Sequence, residues 1–501
     1  MIQLFLTRLS VPKLICAGAI LSLPLLGPAG CSAVLKGSAV SQTAARPSVQ
    51  WQPPQKMPLP VDTVSKAAKV PPEVLANLQS LTLEQIVDIA LRNNPDTRTS
   101  WASAVAAAAK LNSEKGAWLP SFDVQANANK SQGSVAAGRF SFNQFTYGPS
   151  VSLNYILFDF GKRGADIDAA RQAMYSRNFT HNSTLQNVVL LVETAYFKYL
   201  NAKALFQAEE TSFKEARENL EAAEQRHKAG LATIADVLQA KTTVSQAQLG
   251  LQDVEGRIKT IRGALATAIG LDANVEYDVG FLPNELPVNL VSETVDNLIA
   301  QAESLRPDLA AAGASVREAE ANVLSKNAER LPSIALSGLI GRDYFNSLDR
   351  YSNNKRAGVA LSFPLFSGFS MENDVLEAQA EAEAARGRFK SLKNRVVLDV
   401  WTSYYTMKTA SQRMETSKDL LASATESHQV ALERYKAGVG SMLELLAAQS
   451  TLENARALEV MARTDWLLSI AQLAHDTGTL WTYEETAGGF KTGQPEKEEQ
   501  K

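Results

Sequence analysis

Few side chains in this sequence stand where enzymes and metal centres need them. The chain has 501 residues and only four histidines: His181, His227, His428 and His475. None has the spacing of a metal ligand, or a carboxylate and nucleophile partner nearby in sequence. No Gly-x-x-x-x-Gly-Lys-Ser/Thr loop is present to bind a nucleotide phosphate. We therefore expect no enzyme, no metal site and no cofactor, and we expect the histidines to lie on helix surfaces.

One of the two cysteines stands where a lipid could be attached. Arg8 and Lys13 precede an apolar run from Leu14 to Gly30, which is the layout of a bacterial secretory signal over residues 1–30. Cys31 follows small residues, as in the cleavage box of a lipoprotein. This pattern predicts lipidation of the Cys31 thiol. Two alternatives remain open: an N-terminal membrane anchor, or cleavage after Ala33 by an ordinary signal peptidase.

Composition marks off the two ends and narrows the class of protein. Seven of the 19 prolines fall between Pro47 and Pro72, which predicts a Pro-rich, lipid-attached tether over 31–80. Residues 486–501 have the composition of a disordered tail.

A formal net charge of −3 gives no electrostatic reason to expect a nucleic acid partner. The presence of only one long apolar run excludes a polytopic helical membrane protein. It does not exclude membrane strands, because these alternate apolar and polar residues and contain no such run.

The rest of the chain is a tandem duplication. Arg226-His227-Lys228-Ala229-Gly230 recurs 208 positions later as Arg434-Tyr435-Lys436-Ala437-Gly438. Val188-Val189-Leu190 recurs at the same offset as Val396-Val397-Leu398. Several such matches in register are not due to chance. We therefore divide the chain into a first repeat, 81–280, and a second repeat, 281–485.

Each repeat is dominated by long helices. Proline is absent between Pro149 and Pro283 and between Pro364 and Pro495, and apolar residues recur every seven positions, as in coiled coils. Glycine at the Ala-Gly pairs of the repeated motif marks where a helix can end. The pattern predicts two helices of about 100 Å, each antiparallel to two shorter ones. The predicted ranges are 96–118, 161–228, 232–269, 307–329, 370–436 and 440–477.

Two short segments in each repeat alternate apolar and polar residues, which is typical of strands. The predicted strands lie near 121–130, 148–158, 333–341 and 356–366. Four strands are too few to close a membrane barrel, for which about eight is the minimum, whereas three chains would supply twelve. The alternative is a pair of soluble amphipathic hairpins packed on the helices.

Together these features resemble the TolC-like outer-membrane efflux family, in its lipoprotein branch. The likeness runs from about Leu81 to Tyr483 and also rests on Leu305-Arg306-Pro307-Asp308-Leu309 and on the motif that ends at Gly438. It implies a mainly α fold with membrane β: tandem coiled-coil hairpins and four strands per chain. Three chains would form a trimeric α/β-barrel tunnel, with a twelve-stranded barrel in the outer membrane and a twelve-helix barrel in the periplasm. A collar would come from about 72–94, 271–305 and 478–487.

The resemblance also implies a function and its partners. The protein would be the outer-membrane exit duct of a tripartite efflux or secretion system, lipid-anchored and with a long periplasmic extension. It would conduct cargo passively, as a homotrimer in outer-membrane lipid, from a periplasmic adaptor (membrane fusion) protein and an inner-membrane pump. A periplasmic coiled-coil scaffold or chaperone without a pore is the alternative, and it leaves the four alternating segments unexplained.

Two groups of residues are matched to functional positions of that family. The adaptor would dock on two helix turns, Ala229-Gly230-Leu231 and Ala437-Gly438-Val439, although plain helix caps would have the same sequence. A gate would be formed by Asp236, Tyr435, Glu444 and Arg434, since the family's tip arginine position is Gly440 in this chain. The alternative is that these are solvated helix charges.

Overall fold

The computed structural model describes residues 81–135, 140–281, 294–345 and 350–480. All of them belong to one of the two units into which the chain divides, Ala68–Lys501. The predicted signal over 1–30, Cys31 and the tether over 31–80 lie outside the described residues, as does the tail over 486–501.

The two repeats contain the same elements in the same order. The first consists of α1 (Leu83–Asn93), α2 (Pro95–Gly116), β1 (Ser121–Val135), β2 (Phe140–Phe158), α3 (Lys162–Lys228) and α4 (Ile234–Ala268). The second consists of α5 (Val295–Leu305), α6 (Pro307–Glu329), β3 (Ser333–Phe345), β4 (Arg350–Ser362), α7 (Ser370–Lys436) and α8 (Met442–Asp476). The predicted fold class, long helical hairpins in tandem with four strands, is confirmed.

The core lies between antiparallel helices. Helices α3 and α7 have 67 residues each, hence a length of about 100 Å. Along α3, Val192 and Tyr199 are buried seven residues apart and pack in one cluster with Ile86 and Ile89 of α1 and with residues of α4. The seven-residue spacing keeps these side chains on one face of the helix, where the shorter helices cover them.

Equivalent joints connect the shorter helices end to end along each long one. Asn94, just before α2, donates from Nδ2 to the carbonyl oxygen of Ala268 at the end of α4, over 3.1 Å. Arg306, just before α6, donates from Nη1 to the carbonyl oxygen of Asp476 at the end of α8, over 3.4 Å. Carbonyls in the last turn of a helix lack intrahelical partners, so each joint satisfies one of them.

The four strands form one antiparallel sheet in the order β1-β2-β3-β4. Val151 pairs with Val124 of β1 on one side and with Ile340 of β3 on the other. Among the described residues, β1 and β4 each pair along one edge only. Within the described part of the chain, the sheet therefore has two open edges.

The strand bounds differ from the predicted ones. Strands β1, β2 and β3 extend beyond the predicted 121–130, 148–158 and 333–341, since backbone pairing continues past the alternating apolar residues. The segment predicted at 356–366 is instead a strand from Arg350 to Ser362. It ends before Pro364 because proline has no N–H to donate to the ladder.

The histidine expectation was wrong for His428, which is only 7% exposed. On α7 it lies close to Glu215 of α3 and Arg456 of α8, so neighbouring helices cover it, which the sequence spacing alone did not reveal. The predicted collar is described only in part: the backbone N–H of Leu81 donates to the carbonyl oxygen of Asp278 over 3.1 Å, and Leu81 forms a parallel bridge with Val279.

Among helices of the described residues, none is long and apolar enough to cross a membrane.

Candidate functional site: the turns between the long helices

Each hairpin turns through the same glycine-closed loop. After α3, Gly230 adopts φ +75° and the N–H of Leu231 donates to the carbonyl oxygen of Arg226 over 2.8 Å. After α7, Gly438 adopts φ +81° and the N–H of Val439 donates to the carbonyl oxygen of Arg434 over 3.0 Å. A left-handed residue at this point favours glycine, which has no Cβ to clash. The Ala-Gly pair therefore recurs because both turns need a glycine at the left-handed position.

The predicted docking residues at these turns expose apolar side chains. Leu231 is 69% exposed and Val439 is 70% exposed, and Ile234 and Leu443 nearby are also exposed. We call the two turns, 229–231 and 437–439, the tip. Exposed apolar side chains that cluster in this way are typical of protein interaction surfaces.

The two predicted gate carboxylates are engaged in capping the helices that follow the tip. Asp236 accepts from the backbone N–H of Thr233 over 2.8 Å, and Thr233 accepts from the N–H of Asp236 over 3.3 Å. Ser441 and Glu444 exchange the same pair of bonds, over 3.4 and 3.2 Å. These are capping boxes, in which the side chain of the third helical residue accepts from the N–H of the N-cap residue, and the N-cap side chain accepts from the N–H of the third residue. Negative charge there also complements the helix dipole.

Tyr435, the third gate residue, lies between the two hairpins. It is buried in a cluster with Ala223 of α3, Ala240 of α4, and Met442 and Leu445 of α8. Its hydroxyl has no hydrogen-bond partner among the described residues. Burial raises the pKa of the Tyr435 hydroxyl, the nearby cation of Arg226 opposes this, and the carboxylate of Asp236 adds to it. Asp236 and Tyr435 are therefore close but not hydrogen-bonded.

Arg434, the fourth gate residue, contacts its own hairpin. Its Nη2 lies 3.7 Å from Oε1 of Glu444, and both side chains are about half exposed. An exposed pair at this distance contributes little to stability. Arg434 and Glu444 are thus brought together, while Asp236 lies near Tyr435.

Sequence reasoning missed Arg226, which joins the two hairpins. From α3 its Nη1 donates to the carbonyl oxygens of Tyr435 and Lys436, over 2.9 and 3.3 Å. Its Cζ lies 4.9 Å from the centre of the Tyr435 ring, a cation–π contact. The available signal was the repeat itself, because Arg226 stands at the position of the predicted gate residue Arg434.

Among the described residues, no group of three or more histidine, cysteine, aspartate or glutamate side chains could hold a metal ion. His181 hydrogen-bonds Ser100 over 2.8 Å and His475 hydrogen-bonds Asn187 over 2.8 Å, so both join helices. The charged residues beside the tip, Asp236, Glu444 and Arg226, cap and connect helix ends.

Two tandem helical hairpins, each carrying two strands of one antiparallel sheet, form a fold that the chain shares with solved outer-membrane channels. The solved structure of the outer-membrane channel OprN superposes on the chain with a TM-score of 0.72 at 19% identity, covering 79% of this chain and 89% of that one. At that identity the likeness concerns the fold.

The family follows from the sequence match. The model of the family described as "Outer membrane efflux protein" matches residues 86–271 and 298–479, one segment in each repeat. The chain belongs to that family. Protein CyaE of Bordetella pertussis is 26% identical over 388 residues, covering 77% of this chain and 81% of CyaE. Outer membrane protein TolC of Salmonella enteritidis is 24% identical over 413 residues, covering 80% and 83%.

Membership of this family decides between the two functions that the sequence leaves open, an exit duct and a coiled-coil scaffold without a pore. The family is one of channel and transport proteins rather than enzymes. The protein is an outer-membrane exit duct of the kind that serves tripartite efflux or secretion systems, together with adaptor and pump partners. It is not a pore-less scaffold.

Proposed function

We propose that three copies of this chain, anchored by a lipid on Cys31, form the duct. The observation that carries this proposal is the four-stranded sheet with open edges at β1 and β4. Exposed apolar side chains such as Phe122, Val124, Val359 and Leu361 line its outer strands. A lipid-facing barrel needs closed edges and about eight or more strands, which one chain cannot provide. Three chains supply twelve.

The tip is the part of the duct that receives its partner and narrows its periplasmic entrance. The adaptor's helices dock on Ala229, Gly230, Leu231, Ala437, Gly438 and Val439. Exposed apolar residues and the absence of a side chain at the glycines support this, since a partner helix can approach closely there. Asp236, Tyr435, Glu444 and Arg434 line the gate. Under three-fold symmetry Glu444 forms a ring of three carboxylates, which favours cations in a narrow aperture.

The full-length protein, isolated from outer-membrane fractions, tests the proposal. We expect heat-modifiable trimers that conduct ions across a planar lipid bilayer. We also expect palmitate labelling that Cys31→Ser abolishes and Cys16→Ser leaves intact, since Cys16 lies in the segment removed on export. A soluble periplasmic dimer without conductance would overturn the trimeric duct. Unchanged labelling in Cys31→Ser would overturn the lipid anchor alone.

A further inference from the structure

The two faces of the four-stranded sheet differ in chemistry. Side chains alternate between the faces along each strand, and directly paired residues share a face. By the strand register, one face collects apolar side chains from all four strands, among them Phe122, Val124, Val151, Leu153, Ile340 and Val359. The other face is polar, with Ser150, Asn154 and Ser337. We call the apolar one the lipid face, because a barrel in a membrane turns such a face outward.

Aromatic side chains flank the lipid face at both ends. At the end next to the helices, the ring centres of Phe158 and Phe160 lie 4.7 Å apart. At the far end, the rings of Tyr147 and Tyr344 stack at 5.4 Å, and Tyr351 lies 6.5 Å from Tyr344. Aromatic girdles of this kind mark the two interfaces of a membrane barrel. We call Tyr147, Tyr344 and Tyr351 the outer girdle, since this end lies away from the helices.

Three exposed cations stand on the lipid face at the level of the outer girdle. Arg342 of β3 donates from Nε to Oδ1 of Asn353 over 2.9 Å, and its Cζ lies 4.6 Å from the centre of the Tyr351 ring. Lys355 follows Asn353 by two residues on β4 and therefore shares its face. Lys130 of β1 shares this face two strands away.

The height of Arg342 corresponds to a lipid headgroup. Ile334, which pairs with Phe158, stands at the girdle next to the helices, and Arg342 lies eight residues further along β3. Eight residues span about 27 Å along a strand, or about 20 Å across the membrane for a strand tilted by about 40°. This is close to the thickness of the apolar band of a barrel, about 25 Å.

The chain supplies no counter-charge to these three cations. None of them forms an ion pair with any described residue. The two carboxylates of the described strands, Asp123 and Asp343, lie on the polar face, where Asp343 accepts from Asn354 over 2.5 Å. At the other end of the sheet the situation differs, since Arg163 pairs with Asp159 over 2.7 Å. An external anion is therefore needed only at the outer girdle.

Arg342 and Lys355 are well placed to share one anion. They are diagonal neighbours across β3 and β4, a relation that places two Cα atoms about 7–8 Å apart. Like charges so close repel, and the repulsion is screened less beside lipid than in water. A phosphate between them removes the repulsion and accepts charge-assisted hydrogen bonds from both. The guanidinium offers a planar fork for two phosphate oxygens, and the ammonium adds a point charge.

We propose that Arg342 and Lys355, with Lys130 beside them, bind the phosphate groups of an anionic lipid in the external leaflet. The acyl chains of this lipid lie on the apolar side chains nearer the helices, such as Ile340 and Val359, which are both 64% exposed. The inference rests on the proposed duct, because only a barrel in the membrane turns this face toward lipid. Each trimer then carries three such sites.

The test counts lipid molecules retained by the full-length trimer, washed free of native lipid in detergent, by native mass spectrometry. The probe is diphosphoryl lipid A, and phosphatidylcholine, which has no net charge, is the reference lipid. We expect Arg342→Gln/Lys355→Gln to bind lipid A roughly tenfold more weakly than the wild type. Arg350→Gln/Arg356→Gln removes the same charge from the polar face of β4 and should bind it as the wild type does. Equal losses in the two double variants would overturn the site.

Single variants separate binding from folding. The side chain of Lys355 makes no hydrogen bond or ion pair with any described residue, so Lys355→Gln leaves the sheet intact and should weaken lipid A binding roughly threefold. Arg342→Lys keeps the charge and should retain most of the binding. Unchanged binding in Lys355→Gln would contradict the site.

Two further outcomes distinguish the ligand and the duct. Millimolar inorganic phosphate should not displace lipid A, because it lacks acyl chains to pack on the apolar band, and displacement would overturn a lipid as the ligand. Conducting trimers that retain phosphatidylcholine as well as lipid A would overturn the lipid site alone. A soluble dimer without conductance would instead overturn the duct.

Discussion

Glu193 shows how packing of the long helices sets the chemistry of a single residue. Burial raises the pKa of its carboxyl to about 7, and the carboxyl has no hydrogen bond or ion pair with any described residue. The equivalent residue in the second repeat is Trp401, whose exposed ring has its centre 4.9 Å from the centre of the Tyr405 ring. The ionisable group is thus peculiar to the first repeat, where the burial of a charge is costly.

Replacing Glu193 with glutamine should remove that cost. A carboxyl whose folded pKa lies above its unfolded value of 4.5 destabilises the fold fully above about pH 7, and the penalty disappears as the pH falls through this window. We expect Glu193→Gln to be more stable by about 2 kcal/mol at pH 8 and no different at pH 4. Urea unfolding at several pH values measures this. Glu218→Gln, at an exposed position of the same helix, is the control, and equal pH dependence in wild type and Glu193→Gln would contradict the prediction.

At the scale of the elements, stability is concentrated where helix ends meet. Arg306 bonds Asp308 over 2.7 Å and Asp399 of α7 over 3.2 Å, in addition to the end of α8. Burial alone would raise the pKa of Asp308, but the hydrogen bond and charge of Arg306 hold it below its ordinary value. One buried cation thus ties α6, α7 and α8 together. This explains why the sequence carries Arg-Pro-Asp at this joint.

Removing that cation should leave the carboxylates of the joint unpaired. We expect Arg306→Ala to lower the free energy of unfolding by about 3 kcal/mol, as when one partner of a buried pair is lost. Arg386→Ala removes an exposed arginine that lies 2.7 Å from Glu320, and it should leave the urea midpoint nearly unchanged. Similar urea midpoints for the two variants would show that the ion pairs of Arg306 contribute no more to stability than an exposed pair does.

At the scale of the whole molecule, the duplication produces two unequal halves from one motif. Helix α8 packs against α3 of the first repeat as well as against α7. Polar pairs such as Asn219 with Gln449, at 2.8 Å, and Arg456 with Glu215, at 2.8 Å, lie along that contact. Polar pairs therefore join the two hairpins in addition to the apolar cluster around Tyr435.

A bulky charge at the tip should affect assembly with the partner and leave the trimer intact. Gly230 has φ +75° and open space around it, so Gly230→Arg strains one turn and projects its side chain outward. We expect copurification with the periplasmic adaptor protein to fall roughly tenfold or more, through a clash with the docking helix. Gly230→Ala shares the backbone strain without the bulk and should retain binding. Loss of heat-modifiable trimers in Gly230→Arg would contradict the placement of this turn.

Local pattern was sufficient for most elements of the fold. The seven-residue spacing on α3 and the glycines at 230 and 438 place the long helices, because these signals act within one helix or one turn. Strand ends were less accurate: 356–366 became Arg350–Ser362, since ladder pairing and Pro364 decide where a strand stops. The capping boxes at Thr233 and Ser441 are readable in the sequence as Thr-x-x-Asp and Ser-x-x-Glu, while the family resemblance matches both acids to a gate.

Residue order and local spacing are therefore enough to reveal the repeat, the helices and the family. The tertiary arrangement alone sets that Arg226 crosses to α7 while Arg434 stays on its own hairpin, that His428 is buried, and that Glu193 is partly buried. The physical reason is that each of these depends on which helix packs against which. One duplicated motif meets two different neighbours, and nothing in its own residues distinguishes them.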